Sequence, residues 1–284
     1  MTTPVKAIQQ VQLAKLLTSE SRARRALRSV TDAGYTAIEL LGFMTRPTPA
    51  LVRALMRSGG MRVGRSGTLD WPALIAESGL DVVGIHEDLG SIENEPERVI
   101  ASAGTYRTGN VTITSVHRVD FADPDAVRGL ADRLNRAGRR LREEGLRLHW
   151  HNHSIELSRI DSHRTALDVL ADATDPRDVA FELDAYWLAD AGANPLAIMR
   201  RLGERVRLLH LTDRGFRPGG RGLSPIRKAG PVELGHGNLD LVGLLDQARA
   251  ARTEAVIVET HRNWIDNDPL ASLRLSADFL HTHL

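Results

Sequence analysis

The sequence predicts an α/β fold, a single (β/α)8 barrel, on three observations. Short apolar runs that read as strands alternate with helical patterns from end to end. Eight such runs, with helices between them, imply a closed parallel barrel rather than an open sheet. Several runs end in His, Asp or Glu, and polar chemistry at the C-terminal tips of successive strands is the usual layout of a barrel active site. The 284 residues and 42% hydrophobic content suit one such domain over 1–284, because a barrel of this kind takes about 250 residues.

Taken in order, strands are expected at 5–11, 36–41, 81–86, 111–115, 146–151, 179–184, 206–211 and 255–259. Helical spacing of apolar residues marks 21–33, which stops at Gly34, and the long Ala-, Leu- and Arg-rich segment 124–144, which stops at Gly145. Segments 161–173, 194–202, 239–251 and 269–281 continue the alternation. The stretch 47–80 is irregular, with helical patterns at 49–58 and 70–78 around a glycine-rich break from Ser58 to Gly67 that reads as a loop or a damaged short strand. A second long loop, 214–237, is rich in glycine, proline and basic residues. Connections of that length are lids, binding loops or disordered segments; here the loop is expected to cover the site.

Composition removes several function classes. The balance of 37 basic and 36 acidic residues leaves a net charge of +1, which argues against a nucleic-acid face. The absence of cysteine excludes disulfides and thiolate metal sites. The N-terminus M-T-T-P-V-K-A-I-Q-Q has no apolar signal region, and no run reaches the length of a membrane span. The expectation is a cytoplasmic protein with a small-molecule ligand, neither nucleic acid nor membrane as partner, and self-association left open.

Side chains alternate along a strand, so Glu182 and Asp184, Leu208 and His210, and Ile257 and Glu259 share faces. Asp184 ends F-E-L-D where a strand opens into its loop; the competing role is an N-cap for the next helix. His210 ends an apolar strand and is either a satisfied core histidine or, with Asp184 on the preceding strand, a ligand. Glu259 in V-I-V-E is a carboxylate beside apolar residues, costly to bury without a compensating positive charge. On the fifth strand His149, His151 and His153 share one face; His151 lies nearest the tip and is the expected fourth ligand. Nitrogen and carboxylate donors together suit one divalent metal ion, with Mn, Zn, Co, Fe and Mg not distinguished. Glu39 and His86, at the ends of A-I-E-L and V-G-I-H, are candidate substrate contacts at the same mouth, as is His153. Trp187 can wall a sugar ring or serve as ordinary core, and Arg214 can meet an anionic group or simply face solvent.

These phrases together resemble the xylose-isomerase-like TIM barrels, a family of sugar phosphate isomerases and epimerases. The matching segments are G-Y-T-A-I-E-L (34–40), G-L-D-V-V-G-I-H (79–86), H-N-H-S-I-E (151–156), L-D-A-Y-W (183–187), A-G-A-N-P (191–195), H-L-T-D (210–213), G-H-G-N-L-D (235–240) and I-V-E-T (257–260). They run in order over nearly the whole chain. The resemblance implies a divalent metal held by Glu, Asp, His and Glu from strands five to eight, of which the last three map onto Asp184, His210 and Glu259. The chain departs at the first, where H-N-H-x-x-E offers histidine, and at His236, where relatives often have Glu. Two-base epimerisation in the family uses the strand-five and strand-eight glutamates. Here Glu259 is the expected base, and its partner is Glu156, a histidine, or absent.

The implied chemistry is proton abstraction next to a carbonyl, with the metal stabilising an enediolate. Return of the proton gives a sugar isomerase or epimerase; loss of a β-substituent gives a lyase or hydrolase that cleaves 3-keto-glycosides. A non-catalytic sugar-binding barrel and a metal-dependent endonuclease of the apurinic-site type rank below these.

Overall fold

The computed structural model describes residues 3–47, 66–113, 116, 118–216 and 228–284. Eight parallel strands close into a barrel: β1 (Val5–Gln9), β2 (Ala37–Leu41), β3 (Asp81–Glu87), β4 (Asn110–Ile113), β5 (Arg147–His151), β6 (Val179–Asp184), β7 (Val206–Leu211) and β10 (Ala255–Val258). β1 pairs with both β2 and β10, so the sheet has no free edge. A short antiparallel pair, β8 (Asp213–Gly215) with β9 (Gly230–Val232), stands outside the barrel.

Helices α1 (Glu20–Asp32), α2 (Trp71–Ser78), α3 (Leu89–Asn94), α4 (Pro96–Thr105), α5 (Pro124–Glu143), α6 (Ala166–Ala173), α7 (Ala185–Asp190), α8 (Pro195–Leu202) and α9 (Leu241–Ala250) lie between the strands in sequence, and α10 (Pro269–His283) follows the last of them. α5 buries Val127, Leu130, Ala131, Leu134, Ala137 and Leu141 along one stripe. Each fully buried leucine there contributes roughly 1.5–3 kcal/mol. Gly138 sits on the same stripe because nothing larger fits: a Cβ there would stand 2.1 Å from the Asp178 carbonyl oxygen. Among the described residues no helix is long and apolar enough to cross a membrane.

The eight barrel strands fall where the apolar runs place them, with shifted ends. β1 stops at Gln9, and the chain continues as a 3-10 turn, Gln10–Leu13. The expected helix 161–173 starts only at Ala166, because Asp161 accepts from His163 and Arg164 N–H in a turn and Thr165 with Asp168 forms a capping box. Helices α3 and α4 are additions to the sequence reading. They are short segments broken at Pro96, and the Asp88 cap of Ser91 N–H is their clearest local signal. The expected helix 49–58 and most of the glycine-rich break lie outside the described residues.

Inside the barrel, Ala7, Ala37, Leu208, Ala255 and Ile257 form a closed apolar plug. Beyond it the interior becomes polar, through Glu39, His86, Thr112, His151, Glu182, Asp184 and His210, all at most 5% exposed. That polar layer is where the chemistry has to be.

Candidate metal centre and active site

Strand register assembles the layer. His151 on β5 faces Glu182 on β6, and Asp184, two residues further, faces His210 on β7. Glu259 follows the end of β10 and is held by its backbone: Glu259 N–H donates to Leu211 O (3.1 Å), and Thr212 Oγ1 donates to Glu259 O (2.5 Å). Buried Gln12 brackets it, donating to Val258 O and accepting from Thr260 N–H.

His151, Asp184, His210 and Glu259 each bring one donor atom to a cluster in which all lie within 4.8 Å of one another. His210 Nδ1 is 2.9 Å from Glu259 Oε2, and His151 Nε2 is 3.9 Å from Asp184 Oδ2. Two imidazole nitrogens and two carboxylate oxygens at adjoining strand tips make a donor set that could hold a divalent ion. The residues present fit such an ion: the histidines point a nitrogen inward, and each outer nitrogen is occupied by a buried carboxylate. Asp184 fills both roles open to it. Its Oδ1 caps α7 by accepting from Trp187 N–H (3.0 Å), while Oδ2 turns to the cluster. Asn152, just past the end of β5, clamps its peptide, accepting from Asp184 N–H (2.9 Å) and donating to Asp184 O (3.2 Å).

A second cluster adjoins the first and shares His210: Glu39, His86, Glu182 and His210. Glu39 and Glu182 are fully buried. Glu182 accepts from Thr112 Oγ1 (2.9 Å) and Glu39 from Gln9 Nε2 (3.1 Å). The structure therefore encloses Glu39 and His86 within the barrel rather than on the open face of the mouth.

Electrostatics follow from this packing. Burial opposes charge on His210, but Glu182 and Glu39 outweigh it and hold the ring's pKa well above the ordinary value. His86 is treated the same way by Glu39 and Glu182, against burial, and rises to about 10. Burial would raise Glu259, yet the His210 hydrogen bond and the charges of His210 and His151 carry it down to about 2. Burial raises Asp184. Glu156, on the 3-10 turn Ile155–Leu157 just past β5, is pushed up to about 6 by burial, although its Oε2 accepts from His153 N–H (2.9 Å).

The three fifth-strand histidines separate by depth. His149 is fully buried, pairs through Nε2 with Asn110 Oδ1 (3.0 Å), and is lowered to about 4 by burial. His151 reaches the metal-type cluster. His153 lies in the loop, with its ring 5.1 Å from His151 and 5.8 Å from Trp187. Trp187 stacks on His261, with centroids 5.7 Å apart and planes at 18°, giving a partly exposed aromatic wall.

Arg214 is tied by Nε to Asp190 (3.1 Å). Both ends of the long loop are pinned on buried Asp213, which accepts from the N–H groups of Arg214, Gly235, Gly237 and Leu239. The middle of that loop, 217–227, lies outside the described residues, and His236 is exposed and apart from the cluster. Glu182, Asn152, Gln12 and His261 are additions to the sequence-derived set. Only Glu182 carried a signal, its shared face with Asp184.

The chain is similar in fold to a sugar phosphate isomerase/epimerase from Parabacteroides distasonis, with TM-score 0.75 and 19% identity over 98% of this chain and 94% of that one. It is similar to a xylose isomerase-like TIM-barrel protein from Mycobacterium smegmatis in complex with magnesium, with TM-score 0.66 and 14% identity over 99% and 96%. In sequence it is 32% identical over 85 residues to an inosose dehydratase of Clostridium beijerinckii, a match spanning 30% of this chain and only 27% of that protein. Residues 27–283 match the xylose isomerase-like TIM barrel model, and the chain belongs to that family.

Proposed function

We propose that this protein is a divalent-metal-dependent enzyme that moves a proton at the carbon next to the carbonyl of a small sugar or keto-sugar, as a sugar isomerase or epimerase does. The observation that carries the reading is the metal-type donor set at the strand tips, His151, Asp184, His210 and Glu259, with a second buried carboxyl, Glu156, just past the end of β5. Glu259, one-fifth exposed, is the accessible carboxylate of that set and can accept a proton. Glu156, enclosed and raised to about 6 by burial, exchanges its proton closer to neutrality than an ordinary carboxyl and can relay one. A divalent ion held by His151, Asp184, His210 and Glu259 would supply Lewis acidity to a carbonyl oxygen and its neighbouring hydroxyl. Glu259, being in that ligand set, would be placed to reach the proton on the hydroxyl-bearing carbon next to the carbonyl. His153 and Trp187, with His261 behind, wall the sugar and exclude water. Arg214, fixed by Asp190, is the cation available to an anionic substituent. Return of the proton to the other face gives an epimer, and to the neighbouring carbon an isomer.

A second reading, β-elimination by a lyase or hydrolase acting on a 3-keto-glycoside, is favoured by one feature. His151 stands where two-base members of the family carry glutamate, and elimination needs only one good base. Partial similarity to an inosose dehydratase supports the same alternative. Proton NMR of candidate keto-sugars in D2O, with the zinc-loaded protein, tests both. Deuterium at one carbon of an otherwise intact or epimerised sugar supports the first reading. Release of the β-substituent with an enone absorbance supports the second. No exchange on any keto-sugar would leave a binding barrel.

A further inference from the structure

Each candidate metal histidine has its two ring nitrogens committed in different directions. His151 Nδ1 is 2.7 Å from Glu182 Oε1, and His210 Nε2 is 2.7 Å from Glu39 Oε2. Their opposite nitrogens, His151 Nε2 and His210 Nδ1, face Asp184 and Glu259. A carboxylate only accepts, so a ring between two carboxylates can donate from both nitrogens. Once the nitrogen facing Asp184 or Glu259 gives its lone pair to an ion, the remaining proton belongs on the nitrogen turned to the enclosed carboxylate.

We propose that Glu182 and Glu39 are positioning residues that hold His151 and His210 in opposite tautomers, Nδ1–H for His151 and Nε2–H for His210, so that both lone pairs converge on one ion. The proposal rests on the metal reading above and assigns a role to two carboxylates enclosed behind the candidate ligands. A carboxylate behind a ligating imidazole fixes ring and tautomer and raises ligand basicity.

Three features equip the carboxylates for this. They are fully buried, so they cannot swing out to solvent. Each has a second donor that sets its plane, Thr112 for Glu182 and Gln9 for Glu39. Room for Glu39 is left by Gly84 on β3, where a Cβ would stand 3.1 Å from Glu39 Oε1. His86 lies against both carboxylates, its Nε2 2.9 Å from Glu39 and 3.1 Å from Glu182, and compensates their charge. The donor atoms of this enclosed group stand 2.7–3.1 Å apart. Donors around a tetrahedral ion with bonds of about 2.0–2.1 Å stand about 3.3 Å apart. Each of these histidine–carboxylate edges is shorter than that, whereas the other set combines a short His210–Glu259 edge of 2.9 Å with an open His151–Asp184 edge of 3.9 Å.

The test uses the full chain with zinc. Long-range proton–nitrogen NMR of the histidine rings in the zinc-loaded wild type should show His151 protonated at Nδ1 and His210 at Nε2. The same tautomer on both, or the reverse on either, overturns the proposal without any variant having to fold. Zinc affinity by chelator competition should fall about 10–100-fold in Glu182→Gln and Glu39→Gln, with thermal melts showing that the variants fold. His86→Gln should bind far better than Asp184→Ala. Unchanged affinity in both glutamine variants sinks the positioning role alone. A His86→Gln variant without zinc beside a zinc-binding Asp184→Ala places the ion among Glu39, His86, Glu182 and His210 and overturns the assignment. A wild type that binds neither zinc nor cobalt instead ends the metal reading on which the proposal stands.

Discussion

Asn152 grips Asp184 by both sides of its peptide, from the loop that leaves the neighbouring strand. The contact joins the end of β5 to the end of β6 at the point where both turn from barrel to site. Through it, the H-N-H phrase positions a carboxylate more than thirty residues away by backbone rather than by side chain. Asn152→Ala leaves a buried N–H and a buried C=O without these partners. A loss of about 1–3 kcal/mol per group follows, read as a lower urea midpoint. Weaker zinc binding should accompany it, because the Asp184 peptide is freed. Unchanged zinc affinity in a destabilised variant would make the clamp purely structural.

Glu156 should leave a signature in stability against pH. Its folded value of about 6 stands above the ordinary 4.5. A carboxyl raised in this way contributes stability that is fully present below about pH 4.5 and is lost as pH rises through 6. The gap is worth about 2 kcal/mol. Glu156→Gln keeps an acceptor for His153 N–H and removes the ionisation. The variant should match the wild type at pH 4 and exceed it by up to about 2 kcal/mol at pH 7.5. Urea melts across that range measure the difference, and a constant offset would mean that the buried carboxyl does not titrate there.

Gly138 offers a test of packing away from the chemistry. In an exposed helix, Gly→Ala stabilises by roughly 0.5–1 kcal/mol. On α5 the added methyl would meet the Asp178 carbonyl at 2.1 Å, backbone that leads directly into β6. Gly138→Ala should therefore destabilise by about 1–3 kcal/mol, lowering the melting temperature. A rise would show that helix and strand can part at no cost.

The legible part of this molecule is the part governed by period two. F-E-L-D, L-L-H and V-I-V-E put polar residues on inward faces, and Asp184, His210 and Glu259 meet in one cluster with His151. Alternation tells which face a residue takes but not its depth, which depends on how far adjacent strands are staggered around the barrel. Hence Glu39 and His86, read as mouth residues, lie enclosed, and Glu182, seen on the right face, received no role. The register shift between Phe181 and Glu182 is part of that stagger. Helices α3 and α7, six residues each, are too short for a 3.6-residue pattern to stand out, and only their Asp caps announce them. Helix α4 runs ten residues, and its start signal is Pro96 rather than a side-chain cap. The β8–β9 pair was hidden inside a glycine- and proline-rich loop, because strands of three residues each leave no period-two pattern to read.

Glu259 is where the functional reading is most exposed. It is the partly accessible member of the ligand cluster, and Gln12, Leu211 and Thr212 hold the backbone on either side of it. Only its side chain is therefore free to approach substrate. Glu259→Gln preserves size and an oxygen donor for the ion but removes basicity. Solvent exchange at the substrate carbon should fall at least 100-fold, as expected for loss of a positioned base, while zinc binding weakens without disappearing. Glu156→Gln, which removes only a proton donor, should slow turnover while leaving exchange largely intact, since abstraction precedes donation. The two variants thus separate the steps: one blocks exchange and product together, the other uncouples them. Near-normal exchange in zinc-loaded Glu259→Gln would transfer the base to another residue, and His153, next to His151 and lowered to about 3 by burial, is the neutral imidazole in position to be examined next.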